Sequence, residues 1–299
     1  MGTGKMIKYF YNIQLAENKI RIVSDFPIAQ TKKNCKFFTE CDASEAEEEI
    51  PAYRVTCEDF KIPEQAVVCG NNGDKNLYRD RNVYYRELIR MMNGSNIRAV
   101  SVYSSEFMGC AGNIYVDERI RDGLQGELNI IDYLPLEQML LWQKSLILHS
   151  SFVLHHGVAI LFTGPSGIGK SSQADLWRKY LQAQIINGDR AIIKWHAEKD
   201  RYFAYGSPYS GSSPYCENKS APLVAIILLE QAEKNQIEPV SSAEAYMKLF
   251  SQVTINQTDR TSVENALEMV EQWVRKIPIY RLKCRLDKEA VELVRKVIE

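Results

Sequence analysis

The sequence predicts an α/β protein in two parts: a β-rich N-terminal domain over residues 1–133 and a P-loop α/β domain over residues 134–299. Three observations lead there. A glycine-rich loop stands between an apolar run and a helical pattern in the second half. The first half is a series of short segments rich in Tyr, Val, Ile and Phe, broken by Asp, Asn, Gly and Pro. Near Leu134 the texture changes, and helical periodicities begin to alternate with strands.

In the first half the expected strands are residues 6–15, 19–23, 35–39, 53–57, 66–69, 76–86 and 97–103. The acidic stretch 42–49 reads as a solvated loop or short helix, and nothing before residue 134 groups catalytic side chains. In the second half, 136–147 has helical spacing and 148–154 reads as a strand leading into the apolar run 158–162. After the loop, Ala174, Trp177 and Leu181 recur at helical spacing, with Leu176 and Tyr180 widening the face. Strands follow at 183–186, 191–195, 202–205 and 223–229. Ser241 with Glu244, and Thr261 with Glu264, form capping-box patterns at two helix starts. Tyr280, Leu282, Cys284 and Leu286 alternate with Arg281, Lys283 and Arg285 in a half-buried strand, and Asp287 caps a last helix running to about Ile298. The basic row fits a grip on phosphate or acidic peptide; we take it as a solvated face that discourages edge pairing.

At 299 residues the chain has room for two domains, and its 45% apolar and 25% charged content is that of a globular protein. A net charge of −1 lacks the basic bias of nucleic-acid binders. No run reaches membrane-spanning length and no signal peptide is seen, so neither nucleic acid nor membrane is an expected partner, and the cytoplasm is the expected location. Cys35, Cys41, Cys57, Cys69, Cys110, Cys216 and Cys284 form no C-x-x-C pair. Reduced thiols are expected, without a zinc site or disulfide framework. Gly2-Thr3-Gly4-Lys5 is not preceded by a strand and carries no weight.

Residues Gly164-Pro165-Ser166-Gly167-Ile168-Gly169-Lys170-Ser171 satisfy every fixed position of G-x-x-x-x-G-K-[ST]. Glycines let backbone N–H groups close on a polyphosphate, and a following helix aims its N-terminus at the anion. The expected ligand is ATP, held by Gly164, Ser166, Gly167, Ile168, Gly169, Lys170, Ser171 and Ser172, with Lys170 on the β- and γ-phosphates. Ser171 is the first expected ligand of Mg²⁺. A carboxylate is needed beside it, and Asp189, in Ile185-Ile186-Asn187-Gly188-Asp189-Arg190 after the next strand, is preferred over its alternative as a turn residue.

The stretch Leu148-His149-Ser150-Ser151, the loop Gly164 to Ser172 and Asn187-Gly188-Asp189-Arg190 resemble the catalytic half of HPr kinase/phosphorylase and its relatives, in the fold group of phosphoenolpyruvate carboxykinase. In that family a histidine lies about fifteen residues before the loop, and His149 precedes Gly164 by 164 − 149 = 15. A pair of acids follows the loop helix there; here Gly188 stands at the first and Asp189 at the second. The tail from Ile277 to Cys284 with Asp287 and Ala290 resembles the relatives of ribosomal-peptide pathways, including lasso-peptide precursor kinases. The resemblance covers roughly 134–299 and implies an HPr kinase-like P-loop domain that transfers the γ-phosphoryl of Mg-ATP to a serine-type hydroxyl of a precursor peptide. Asp189 and His149 are then the catalytic residues beside Lys170, either one handling the acceptor proton. Gly206 to Glu217 replaces the family's glycine-rich substrate segment, so HPr itself is not the expected acceptor.

A small-molecule acceptor and a non-catalytic nucleotide-binding module stay open. The segment 206–217 is the expected acceptor-side loop, flexible and solvated, with Glu217 as an optional second carboxylate and Arg260 as an optional phosphate contact. His155 and His156 fit a turn with Gly157 and receive no role. The oligomeric state, a homo-oligomer included, is not specified.

Overall fold

Two compact units organise the chain: Met1–Gln143 with Asn256–Arg260, and Lys144–Ile255 with Thr261–Glu299. The computed structural model describes residues 8–32, 34–40, 51–92, 94–257 and 259–299. The acidic stretch 42–49, Cys41 and the Gly-Thr-Gly-Lys segment lie outside the described residues. Both units mix α and β structure.

The first unit carries β1 (Tyr9–Leu15), β2 (Asn18–Ser24), β3 (Phe38–Thr39), β4 (Tyr53–Thr56), β5 (Val67–Asn72), β6 (Lys75–Asp80), β7 (Val83–Met92), β8 (Ser95–Ser104) and β9 (Gly112–Val116), then α1 (Glu118–Leu124) and α2 (Leu136–Trp142). Its sheet has the order β3-β1-β2-β4-β9-β8-β7-β6-β5. Tyr53, Phe37, Ile13, Ile22 and Ile114 are fully buried. The expected strand 76–86 is two strands, because Arg81 turns the chain at a φ of 53°. Residues 35–37 form a 3₁₀ turn ahead of the short β3. The expected helix 136–147 stops at Trp142: Lys144 takes a φ of 55°, and Ser145 already begins a strand.

The second unit carries β10 (Ser145–His155), β11 (Val158–Thr163), α3 (Lys170–Leu181), β12 (Gln184–Asn187), β13 (Arg190–His196), β14 (Arg201–Gly206), β15 (Ser220–Gln231), β16 (Gln236–Pro239), α4 (Ser242–Phe250), β17 (Val253–Thr254), α5 (Arg260–Lys276, whose first residue falls in the first unit), β18 (Ile279–Cys284) and α6 (Lys288–Ile298). Two long strands serve two neighbourhoods each. β10 pairs with β13 through residues 145–149 and with β11 through 150–155. β15 pairs with β14 through 220–222, then runs parallel to β11 and β18. The helices α3 and α6 cover β11, β15 and β18, burying Trp177, Ala174, Val291 and Val294 against Phe162, Ile227 and Leu282.

Ser241 caps α4 through the N–H of Glu244, and Asp287 caps α6 through that of Ala290. Thr261 lies inside the first turn of α5, since that helix begins at Arg260. β18 is not an edge, being paired on both sides by β15 and β16. Its basic row is therefore not a solvated guard: Arg281 pairs with Glu230, Glu238 and Glu244, and Lys283 with Glu238. Leu286 lies beyond the strand and is 55% exposed.

Trp177 is fully buried between Phe162 and His155, its ring centroid 6.0 Å from the first and 5.3 Å from the second. Trp177→Ala should cost about 3–5 kcal/mol, read as a lowered urea midpoint. A loss below about 1 kcal/mol would mean that α3 is not anchored there.

Candidate functional site

The glycine loop leaves the carboxyl end of β11 and enters α3 at Lys170. Gly164, Gly167 and Gly169 have φ values of 146°, 78° and 110°, which side-chain-bearing residues rarely adopt. Ser166 and Gly167 are exposed at the tip, and a Cβ on Gly167 would meet nothing within 4 Å. Ile168 folds back toward Gly164, and Ser172 is half-buried in the first turn of α3. Lys170 is buried, its Nζ donating to the carbonyls of Gly164 (2.8 Å) and Pro165 (3.0 Å). Burial lowers its pKa, opposed by the nearby charge of Asp189.

Strand pairing brings the distant residues to this loop. β12 and β13 lie along β10, Asn187 opposite Phe152 and Arg190 opposite His149, so Gly188 and Asp189 sit beside Ser150 and Ser151. The Ser150 N–H donates to the Asp189 carbonyl at 2.9 Å. The Gly188 carbonyl accepts from both Ser151 Oγ (3.2 Å) and Ser171 Oγ (3.3 Å), which ties the first turn of α3 to this segment. His149 Nε2 lies 3.4 Å from Asp189 Oδ1, and Arg190 Nε lies 3.3 Å from Oδ2. The His149 contact is the largest cause holding the Asp189 carboxyl below its ordinary value; burial works against it, and Arg190 and Lys170 assist. His149, Asp189, Lys170 and Ser171 therefore converge, while His155 and His156 turn the chain at the far end of β10.

Residues outside the glycine loop organise the cluster. Asn187 is fully buried; its Oδ1 accepts from the N–H groups of Asp189 and Arg190, both at 2.8 Å. Its Nδ2 donates to the carbonyls of Ser207 (2.8 Å) and Tyr209 (3.1 Å). The segment 206–217 is thus pinned, not the free loop expected from its composition. Glu217 N–H donates to Ile186 at 2.9 Å, Arg190 lies over the Tyr209 ring, and Tyr215 reaches Asp175 and Arg178 on α3. A Cβ on Gly211 would stand 3.1 Å from the Asp189 carboxyl carbon, so the loop backbone lies directly against that carboxylate. Ser210, the next residue back, is 3% exposed and its Oγ has no hydrogen-bond partner. The sequence marks Asn187 only as part of the Asn-Gly-Asp-Arg string and Ser210 and Gly211 only as part of the segment 206–217; the contacts of each come from long-range packing.

Gly188 has no space for the acid that the family pattern places there, because a Cβ would overlap Ser213 Oγ. Among the described residues no group of three or more His, Cys, Asp or Glu side chains could hold a metal. The fitting donors for Mg²⁺ are Ser171 and Asp189 with phosphate oxygens, which suits an ion that takes few protein ligands. No helix among the described residues is long and apolar enough to cross a membrane.

Residues 131–299 match the family model described as SynChlorMet cassette protein ScmC. The chain belongs to the ScmC family. The match includes every residue of the converging cluster. Among solved structures, the Hpr(Ser) kinase/phosphatase from Coxiella burnetii is similar at 12% identity and a TM-score of 0.29, over 50% of this ScmC-family chain and 89% of that one. At that score the likeness decides nothing about this protein. No curated protein matches the chain.

Two outcomes test this description. Gly188→Asp should lower stability by about 1–3 kcal/mol through overpacking, with much of the loss recovered when Ser213→Gly is added. A neutral single variant would show that the space is free. His149→Asn should raise the Asp189 pKa toward its ordinary 3.8, followed by carboxyl-carbon NMR titration. Because the folded value is the lowered one, the pair's stabilisation is complete above the ordinary value and is lost as pH falls through the folded value.

Proposed function

We propose that the protein is an ATP-dependent kinase that transfers a γ-phosphoryl group to a serine-type hydroxyl of a precursor peptide. What carries this reading is the meeting of the glycine loop with the Asp189–His149 pair, through the Gly188 carbonyl that Ser171 donates to. It also rests on the resemblance of these segments to HPr kinase-like proteins.

Bound Mg-ATP would supply the transferable phosphoryl group and the cation that balances its charge. Lys170 would exchange its two carbonyl partners for phosphate oxygens, and Ser171 would turn from Gly188 to the metal. Asp189, held ionised by His149, suits metal binding and orientation of the acceptor hydroxyl. His149, 3.4 Å from Asp189, would then take the hydroxyl proton. Such transfers have loose transition states, so positioning outweighs basicity. The segment 207–215, pinned against Asp189, would form the acceptor side, with the unpaired Ser210 hydroxyl offered to it.

A second reading, a nucleotide-gated binding module, draws on one observation: Ser213 fills the space that a carboxylate at position 188 would need.

Incubation with Mg-ATP and separate pools of serine-containing peptides and small hydroxylated metabolites, read by mass spectrometry, tests the proposal. Phosphate should appear on a peptide, be absent with Lys170→Ala, and fall by about a hundredfold or more with Asp189→Asn. Transfer to a metabolite would move the acceptor class. ATP binding without transfer to either pool would favour the binding module.

A further inference from the structure

The glycine loop accounts for the phosphates and leaves the rest of a nucleotide without a place. Beside the loop lies a cavity of about 530 Å³ that shares Ile168 and Gly169 with it. That volume is within the range typical of small-molecule sites. Its position follows from strand direction. β11, β15 and β18 run parallel, and the cavity opens at their carboxyl ends, where the loop leaves β11, Leu229 ends the buried run of β15, and Cys284 ends β18. Crevices at the carboxyl ends of parallel strands are where ligands of open α/β sheets bind.

The lining suits a flat heteroaromatic ring. Ile168, Leu229, Ala232, Cys284 and Leu286 supply apolar surface, while Gln231, Glu233 and Arg285 bring polar groups. Leu286 is a large apolar side chain left 55% exposed, and its Cδ2 lies 3.6 Å from the position of a Cβ on Gly169. It therefore borders both loop and cavity, and a ring laid on it would remove that apolar surface from water. The walls are built in advance: the Ala232 N–H donates to the Cys284 carbonyl at 3.2 Å, and Asn235 accepts from the Arg285 N–H at 2.8 Å and donates to Asp287 at 2.9 Å. Burial raises the Cys284 thiol to about 11, so it serves as neutral wall, not as a nucleophile.

We infer that this cavity is the nucleobase site, with Leu286 and Ile168 as its apolar contacts and Gln231 and Glu233 as the groups that meet the base edge. The inference rests on the nucleotide reading of the glycine loop.

Calorimetric titration of the full chain with Mg-ATP and with Mg-tripolyphosphate separates the two. Leu286→Ser removes an apolar wall and Ala232→Phe fills the cavity; both changes are neutral, so the charge presented to phosphate is constant. Each variant should weaken ATP binding by about tenfold while leaving tripolyphosphate affinity unchanged, which also shows that the loop is intact. Unchanged ATP affinity in both variants, or equal losses for both ligands, would overturn the base site while leaving the phosphate site standing. A wild-type chain that binds neither ligand would overturn both.

Discussion

The carboxamide of Asn187 is the interaction on which the rest of the site depends. It accepts two backbone N–H groups and donates to two carbonyls, which exhausts its hydrogen-bonding capacity, and it is fully buried. One side chain thereby sets the backbone of Asp189 and Arg190 and holds the segment beginning at Ser207 against them. An aspartate would lose both donors, and an alanine would take the acceptor from the Asp189 and Arg190 N–H groups, while the Ser207 and Tyr209 carbonyls would keep only Cys216 Sγ and Ser207 Oγ. The position of the Asp189 carboxylate and the shape of its surroundings are therefore a single structural decision.

That decision also explains the lone carboxylate. With the loop drawn in, Ser213 occupies the volume beside Gly188 and the Gly211 backbone covers one side of Asp189. A second acid at position 188 and this loop path exclude each other. The loop path in turn brings Ser210 into the interior with its hydroxyl unpaired, a cost of about 1–3 kcal/mol.

What the sequence revealed depended on the range of each interaction. The glycine loop, the caps at Ser241 and Asp287, and the face of α3 with Ala174 and Trp177 are local patterns, and they were legible. The approach of His149 to Asp189 is a cross-strand event forty residues apart in sequence; spacing hinted at it through resemblance, but periodicity could not. Breaks at Arg81 and Lys144 leave no local pattern because residues with ordinary side chains, not glycines, take the left-handed backbone there. The basic row of β18 looked like a guarded edge, since nothing local announces the partner strand β16 with its Glu238, forty-three residues before Arg281.

The sharing of β10 and β15 between neighbours has a dynamic consequence. Because β10 pairs first with β13 and then with β11, while β15 links β14 to β11, these five strands pair in a closed ring. None of the five can peel away without breaking two ladders at once. Amide hydrogens along the ring should thus exchange through cooperative opening of the whole unit, whereas those of 207–215, outside any strand, can exchange through local breathing. Opening of that segment has to release the Asn187 carboxamide but no strand ladder.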